Sequence, residues 1–124
     1  MNQESPFKGQ TGLKRVWNAL FYSIDGLRAA YRGEAAFRQL SWMALVLVPL
    51  ALWLDVGRQE KALLIGSVLL SLIIELLNSA IEAAIDRISL ERHELSKRAK
   101  DMGSAAQLVG LVSIGSVWSL ILLK

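Results

Sequence analysis

Three long apolar segments dominate this chain and constrain its fold more than any other feature. They occupy 37–54, 62–85 and 102–123, and the third has no charged side chain. A helix needs about 20 predominantly apolar residues to cross a bilayer. The strictly apolar part of the first segment, 40–54, reaches that length only when 37–39 is included. We therefore expect one all-α membrane domain over 1–124, with three transmembrane helices at these positions.

The lysines and arginines orient the expected helices. Six precede the strictly apolar stretch 40–54, five lie in the 86–101 loop, and the 55–61 loop has two. Cytoplasmic loops of membrane proteins carry an excess of these residues. The pattern predicts a multi-pass protein whose N-terminus and 86–101 loop are cytoplasmic.

The segment 13–32 precedes the first apolar segment and is amphipathic. Apolar residues such as Trp17, Leu20 and Ile24 recur at helical spacing, and most charged residues fall elsewhere on the helical wheel. A basic amphipathic helix of this kind binds the membrane surface. Packing on protein in the ordinary way is the alternative. The three neighbouring apolar segments favour the interfacial position.

The second apolar segment contains a polar stripe. Glu75, Asn78, Glu82 and Asp86 share one side of a helix because their spacing follows its period. A carboxylate in the centre of a membrane helix costs at least about 2.5–3.5 kcal/mol. Four interpretations are open for the stripe: an ion pathway, a metal site, general-base chemistry at the membrane surface, or hydrogen bonding between helices. Hydrogen bonding suits Asn78 best and a solvated helix end suits Asp86, whereas no basic residue within 62–85 can neutralise Glu75.

Other polar residues are expected at the same cytoplasmic level. Glu34 and Glu82 could together hold a divalent cation such as Mg²⁺, which prefers oxygen ligands. Equally, Glu34 could form an ion pair with Arg38, four residues later. The basic residues of 97–100 could attract a polyphosphate or simply fix the topology. His93, the one histidine, is expected to be an ordinary loop residue.

Several function classes lack their sequence signals. The chain has no cysteine, which excludes disulfides and thiolate metal sites. It has no phosphate-binding loop of the G-x-x-x-x-G-K-[ST] type, no dinucleotide fingerprint and no protein-kinase signature. Its basic residues are not arranged for nucleic acid. The residues alone predict a small oligomeric membrane protein with a polar site at its cytoplasmic face.

Three stretches carry a resemblance to a known family: GLRAAYRGEAAFRQ at 26–39, WLDV at 53–56 and ELLNSAIEAAIDRISLERHELSKRAKDMGSAA at 75–106. They resemble the small prokaryotic integral-membrane diacylglycerol kinases. The resemblance implies a homotrimer with shared active sites in the bacterial inner membrane, each subunit having three transmembrane helices and an interfacial helix. It implies Mg²⁺-dependent transfer of the ATP γ-phosphate to the primary hydroxyl of 1,2-diacylglycerol, giving phosphatidic acid in phospholipid metabolism. An undecaprenol kinase of the same family and a non-enzymatic trimeric membrane protein are the alternatives.

The resemblance also assigns roles to residues. It implies that Glu75 is the general base, that Asn78 orients it, and that Glu34 and Glu82 bind Mg²⁺. Asp101 joins this catalytic group and also contacts the nucleotide, together with Arg15, Tyr22, Glu91, Arg92, His93 and Lys100. The implied lipid contacts, besides Glu75, are Arg15, Ala19, Leu20, Phe21, Tyr22, Ser23, Ile24, Arg28, Ala29, Ala30, Tyr31, Ala36, Phe37, Arg38, Gln39, Leu40, Trp53, Leu54, Asp55, Val56, Lys61, Ser104 and Trp118. The chain departs from the family pattern at Ile24 and Asp25, where an aromatic and a basic residue are frequent.

Overall fold

The computed structural model describes residues 11–123, and all regular secondary structure within them is helical. The helices are α1 (Gly12–Gly33), α2 (Ala35–Trp53), α3 (Arg58–Ile88) and α4 (Glu94–Leu122). The last three are long and apolar enough to cross a membrane, which confirms the predicted fold class. The ends of the predicted domain, 1–10 and 124, lie outside the described residues.

Two of the helices, α3 and α4, begin well before the apolar segments predicted for them. α3 begins four residues before the predicted segment and α4 begins eight residues before it. The prediction of a loop over 86–101 was therefore wrong, because only 89–93 connects the two helices. Hydropathy marks the part of a helix that lies in hydrocarbon, and the charged turns that continue it into water have no apolar signal.

α1 leaves nearly all of its apolar side exposed and buries only Ala30. Trp17 and Phe21 stack edge to face one turn apart, with ring centroids separated by 5.3 Å. The C-terminal part of α1 approaches α2 and α3, whereas its N-terminal half projects away from them. The uncovered apolar side is available to lipid.

A sharp turn at Glu34 joins α1 to α2. Arg38 stabilises this turn, because its Nη1 donates to the carbonyls of Tyr31 and Arg32 at 2.8 and 3.0 Å. These carbonyls lie in the last turn of α1, where the helix leaves its acceptors unpaired. Arg38 is thereby engaged with backbone, and no ion pair joins it to Glu34 within the described residues. The ion-pair interpretation of Glu34 was wrong.

α3 and α4 pack antiparallel and form the most extensive helix contact, with α2 on the other side of α3. The buried core of the bundle, Ala51, Leu64, Val68, Ile114, Trp118 and Ile121, lies towards the end of the bundle where α3 begins and α4 ends. At the same end Lys61 Nζ donates to the carbonyl of Leu52 at 2.7 Å, which caps α2. Lipid tails are as apolar as leucine, so close packing and interhelical hydrogen bonds must hold these helices together.

Candidate active site

Glu75 is buried between α3 and α4, with only 5% of its surface exposed. Its Oε2 accepts a hydrogen bond of 2.9 Å from Gln107 Nε2 on α4. Its other oxygen, Oε1, has no hydrogen-bond partner within 11–123, and no cation in that range forms an ion pair with it. The carboxylate is therefore held at one oxygen and free at the other.

Gln107 was missed by the sequence analysis. Its amide makes two further bonds to Ser71, as acceptor from the hydroxyl at 3.0 Å and as donor to the backbone carbonyl at 3.1 Å. One signal was present in the sequence, because Gln107 is the single amide residue in the third apolar segment. A polar group placed in such a segment requires a partner.

Asn78 lies one turn after Glu75 but is not hydrogen-bonded to it. Its Oδ1 is buried and has no hydrogen-bond partner within the described part of the chain. The side chain faces Gly103 of α4, and a β-carbon at that glycine would overlap Asn78 Oδ1. Asn78 and Gly103 thus define a point of very close approach between the two helices.

A cavity of about 890 Å³ lies between the end of α3 and the start of α4. It brings together five of the residues predicted to contact the nucleotide: Glu91, Arg92, His93, Lys100 and Asp101. Arg15 and Tyr22, predicted to contact it as well, are exposed on α1 and do not line this cavity. The cavity is polar because it lies outside the charge-free stretch of α4.

Two lysines of the first turns of α4 are paired in this cavity. Lys100 Nζ donates to Asp86 Oδ1 at 2.9 Å and thereby joins α4 to α3, and Lys97 Nζ donates to Asp101 Oδ2 at 2.7 Å. The hydrogen bond and the charge of the paired carboxylate raise the pKa of each lysine above its ordinary value. Both ammonium groups therefore remain positive at neutral pH. Asp86 thus lies near the end of α3 and pairs with a predicted nucleotide contact.

His93 and Ser89 shape the connection between α3 and α4. His93 caps α4, because its Nδ1 accepts from the backbone N–H of Leu95 at 3.1 Å. Ser89 Oγ accepts from the backbone N–H of Glu91 at 3.0 Å. These bonds hold the short connection, and with it Glu91 and Arg92, at the mouth of the cavity.

Glu34 and Glu82, the predicted metal ligands, are half-buried, and their side-chain carboxylates have no hydrogen bond or ion pair within 11–123. Glu34 lines a second cavity of about 580 Å³ with Ser79 and Ala83 of α3. Glu82 lies towards α4, where its charge acts on Lys100. No group of three His, Asp or Glu side chains arranged to hold a metal occurs within the described part of one chain.

Comparison with known proteins relates this site to a family. The family model described as prokaryotic diacylglycerol kinase matches residues 21–122. The diacylglycerol kinase of Pseudomonas aeruginosa is 66% identical over 96% of this chain and 97% of its own length. Those of Escherichia coli K12 and Helicobacter pylori J99 are 53% and 48% identical over 90% of this chain, and the match spans 92% and 88% of their lengths.

This chain belongs to the prokaryotic diacylglycerol kinase family. The match includes all of α2 and α3 and extends to the end of α4, so it contains Glu75, Gln107 and the cavity between α3 and α4. The relatives are named as diacylglycerol kinases, and neither an undecaprenol kinase nor a non-enzymatic membrane protein is favoured by them. The predicted family resemblance is confirmed.

The residues predicted to contact lipid lie in several different environments. Arg28, Tyr31 and Phe37 line an apolar groove of about 780 Å³ between α1, α2 and α3, and Ala29 and Ala30 line the cavity that contains Glu34. The exposed members are Arg15, Ala19, Leu20, Phe21, Tyr22, Ser23, Ile24, Ala36, Gln39, Trp53, Asp55 and Ser104, and the half-buried ones are Arg38, Leu54, Val56 and Lys61.

Five predicted lipid contacts are buried in the single chain: Ala30, Phe37, Leu40, Glu75 and Trp118. Leu40 is buried on α2, and Trp118 packs in the core with 9% of its surface exposed. Tryptophan near the end of an apolar segment is typical of an interfacial anchor. The tertiary packing instead places the indole of Trp118 among apolar side chains, where its Nε1 has no partner within 11–123.

Proposed function

We propose that this chain is an ATP-dependent diacylglycerol kinase of the bacterial cytoplasmic membrane. It transfers the γ-phosphate of ATP to the primary hydroxyl of 1,2-diacylglycerol, and the product is phosphatidic acid for phospholipid metabolism. The observation that carries the proposal is the 66% identity to the Pseudomonas aeruginosa diacylglycerol kinase over 96% of the chain. Three helices able to cross a membrane agree with a lipid substrate.

Glu75 is the proton acceptor in this proposal. The hydroxyl oxygen of the lipid forms a bond to the γ-phosphorus, the bond from that phosphorus to the bridging oxygen breaks, and ADP leaves. The hydroxyl proton passes to Glu75 Oε1, the oxygen without a hydrogen bond in the single chain. A buried carboxylate without a neighbouring cation is suited to accept a proton, because no ion pair competes for its lone pairs.

The cavity between α3 and α4 receives the nucleotide in this proposal. Lys100 and Arg92 supply positive charge to the phosphates, while Glu91, His93 and Asp101 shape the cavity mouth. Glu82 lies one turn before Asp86. Glu75 lies about 10 Å from Glu82 along the axis of α3, on the side away from the cavity, given a rise of about 1.5 Å per residue. Glu75 therefore lies deeper in the membrane than the nucleotide cavity, at the level that we propose for the hydroxyl group of diacylglycerol.

Membership in a kinase family is consistent with a need for a divalent metal ion. We propose that this ion is Mg²⁺ and that Glu34 and Glu82 are its protein ligands. Both carboxylates are half-buried and unpaired within the described residues, which suits a hard cation. Two ligands per site also fit Mg²⁺, because it usually keeps several waters and binds substrate phosphates. When bound, the ion neutralises charge that develops on the transferred phosphoryl group.

We further propose a homotrimer whose subunits share each site. Within one chain Glu75 faces α4, whereas the apolar groove lies between α1, α2 and α3. Residues from a neighbouring subunit can complete each half, and the small residues of α4 allow helices to approach closely. The excess of basic residues before α2 and over 86–101, where α3 ends and α4 begins, supports a cytoplasmic N-terminus and a cytoplasmic active site.

The deciding experiment offers the purified protein two lipid alcohols in mixed micelles. With [γ-³²P]ATP and Mg²⁺, 1,2-dioleoylglycerol should give labelled phosphatidic acid, and undecaprenol should give far less labelled product. Labelling of undecaprenol alone would overturn the choice of substrate. Failure to label either lipid, with the protein folded and helical by circular dichroism, would overturn the kinase assignment.

A further inference from the structure

The amide of Gln107 connects α4 to two residues of α3, Ser71 and Glu75. Both of its N–H donors are used, one on the Ser71 carbonyl and one on Glu75 Oε2, and its oxygen accepts from the Ser71 hydroxyl. Ser71 is 1% exposed and Glu75 is 5% exposed. The three residues therefore form a hydrogen-bond network between α3 and α4, in which Ser71 and Glu75 are buried and Gln107 is half-buried.

The network allows one orientation of the amide. The Ser71 carbonyl and the Glu75 carboxylate are both acceptors and both face Nε2. A flipped amide would place its oxygen against two acceptors, which leaves three electron-rich groups in contact. In the observed orientation the Ser71 hydroxyl donates to Gln107 Oε1, so both polar groups of Ser71 are paired with the amide. Ser71 thus fixes the direction in which Gln107 donates to Glu75.

Glycine on α4 permits this approach. A β-carbon at Gly110 would lie 2.9 Å from Gln107 Oε1 and 3.0 Å from Ile74 Cδ1. Both distances are shorter than ordinary van der Waals contact, so a larger residue would push Gln107 or α3 away. The hydrogen bonds and the close helix contact therefore occur at the same level of the bundle.

We propose that Gln107, held in place by Ser71, is a positioning residue for the carboxylate that accepts the lipid proton. This inference rests on the proposed kinase function. A glutamate side chain has three rotatable bonds, and Gln107 is the one hydrogen-bond partner of the Glu75 carboxylate within 11–123. Holding Oε2 leaves Oε1 directed at the substrate, and proton transfer depends steeply on such geometry.

The test compares Gln107→Met, Ser71→Ala and the double variant with the wild-type protein. Methionine approximates the length of glutamine but cannot donate to Glu75. We expect Gln107→Met to lower kcat roughly tenfold and Ser71→Ala roughly threefold, with the KM values for ATP and diacylglycerol unchanged. Because Ser71 acts through Gln107, the double variant should be no slower than Gln107→Met alone.

Ser67→Ala is the matched control. Ser67 is also a buried serine of α3, one turn before Ser71, but its hydroxyl donates to the carbonyl of Leu64 in its own helix. Its replacement should leave kcat unchanged. Oligomeric state and thermal unfolding in detergent are measured for every variant, and rates are compared well below the lowest unfolding temperature.

The possible results separate the positioning role from a structural one. A wild-type kcat in Gln107→Met, a rise in KM at constant kcat, or fully multiplicative losses in the double variant would each overturn the inference. If Gln107→Met does not fold, Ser71→Ala decides, because it retains the Glu75 hydrogen bond: a reduced kcat at constant KM supports the inference and an unchanged kcat overturns it. Absence of lipid phosphorylation by the wild-type protein would instead overturn the proposed function.

Discussion

Gly103 of α4 lies so close to Asn78 of α3 that a β-carbon at the glycine would be 2.9 Å from Asn78 Cγ. Gly103 is buried, and Asn78 Oδ1 is buried beside it without a hydrogen-bond partner within 11–123. The glycine therefore sets the distance between α3 and α4 at the level of Asn78, which is three residues after Glu75. Helices in membranes rely on such small residues because hydrophobic burial does not drive them together.

Gly103→Ala should destabilise the protein by about 1–3 kcal/mol, because overpacking a tight contact forces side chains or helices to move. The measurement is reversible unfolding in detergent followed by circular dichroism. Gly115→Ala is the matched control, since a β-carbon at Gly115 meets nothing within 4 Å in the chain. Equal stability of the two variants would contradict the close packing described for Gly103.

Glu75→Gln should lower kcat by about 10²–10⁴-fold, the usual contribution of a general base. The replacement keeps the size of the side chain but removes the proton-accepting charge, so the oligomer should still form. Steady-state phosphate transfer and size-exclusion chromatography measure the two properties. Glu75→Asp keeps the carboxylate but shortens the side chain, so it should retain more activity than Glu75→Gln. Full activity in Glu75→Gln would exclude Glu75 as the base.

Lys100→Met should raise the KM for ATP roughly tenfold and change the KM for diacylglycerol little, because the lost charge faces the nucleotide cavity. Arg98→Gln serves as the control. Arg98 is on the same helix but does not line that cavity, and its nearest carboxylate, that of Glu94, is 4.0 Å away. The KM for each substrate is measured at saturating concentration of the other. Similar effects of the two variants would indicate a general loss of positive charge and no specific contact by Lys100.

Glu34→Gln and Glu82→Gln should each raise the Mg²⁺ concentration needed for half-maximal activity roughly tenfold, because each removes one anionic ligand. Titration of activity with Mg²⁺ at fixed ATP measures the shift. Asp25→Asn, which removes an exposed carboxylate from α1, should leave the titration unchanged. An unaltered Mg²⁺ requirement in both glutamate variants would remove them from the metal site.

Subunit mixing tests whether the sites are shared. Glu75→Gln and Glu34→Gln subunits, each of low activity alone, are unfolded together and allowed to reassemble. If one site takes these residues from different subunits, some mixed oligomers contain an intact site and activity should return. Mixed oligomers, verified by differently tagged subunits, that remain as inactive as their parents would contradict the shared site.

Much of the architecture followed from the sequence because membrane insertion depends on properties that each residue has by itself. Long apolar stretches identified three helices able to cross a membrane, and the amphipathic spacing around Trp17 and Leu20 identified α1. Helix ends were less predictable. α3 and α4 continue into charged turns, and neither the capping of α4 by His93 nor the pairing of Lys100 with Asp86 has a hydropathy signal.

For the candidate site, the sequence alone identified Glu75 as an unneutralised carboxylate in an apolar segment and the basic residues of 97–100 as a possible polyphosphate contact. The family resemblance added Glu91, Arg92 and His93. Neither identified the partner of that carboxylate. Asn78, one turn away, shares its helix face, whereas Gln107 is separated from Glu75 by 32 positions. The contact depends on the register of α4 against α3, which close packing at Gly103 and Gly110 fixes. Composition and spacing thus determined which helices form and where the charged residues lie. The tertiary structure decided which side chains meet, because a hydrogen bond requires a donor and an acceptor at a set distance and angle, and only the packed helices place them there.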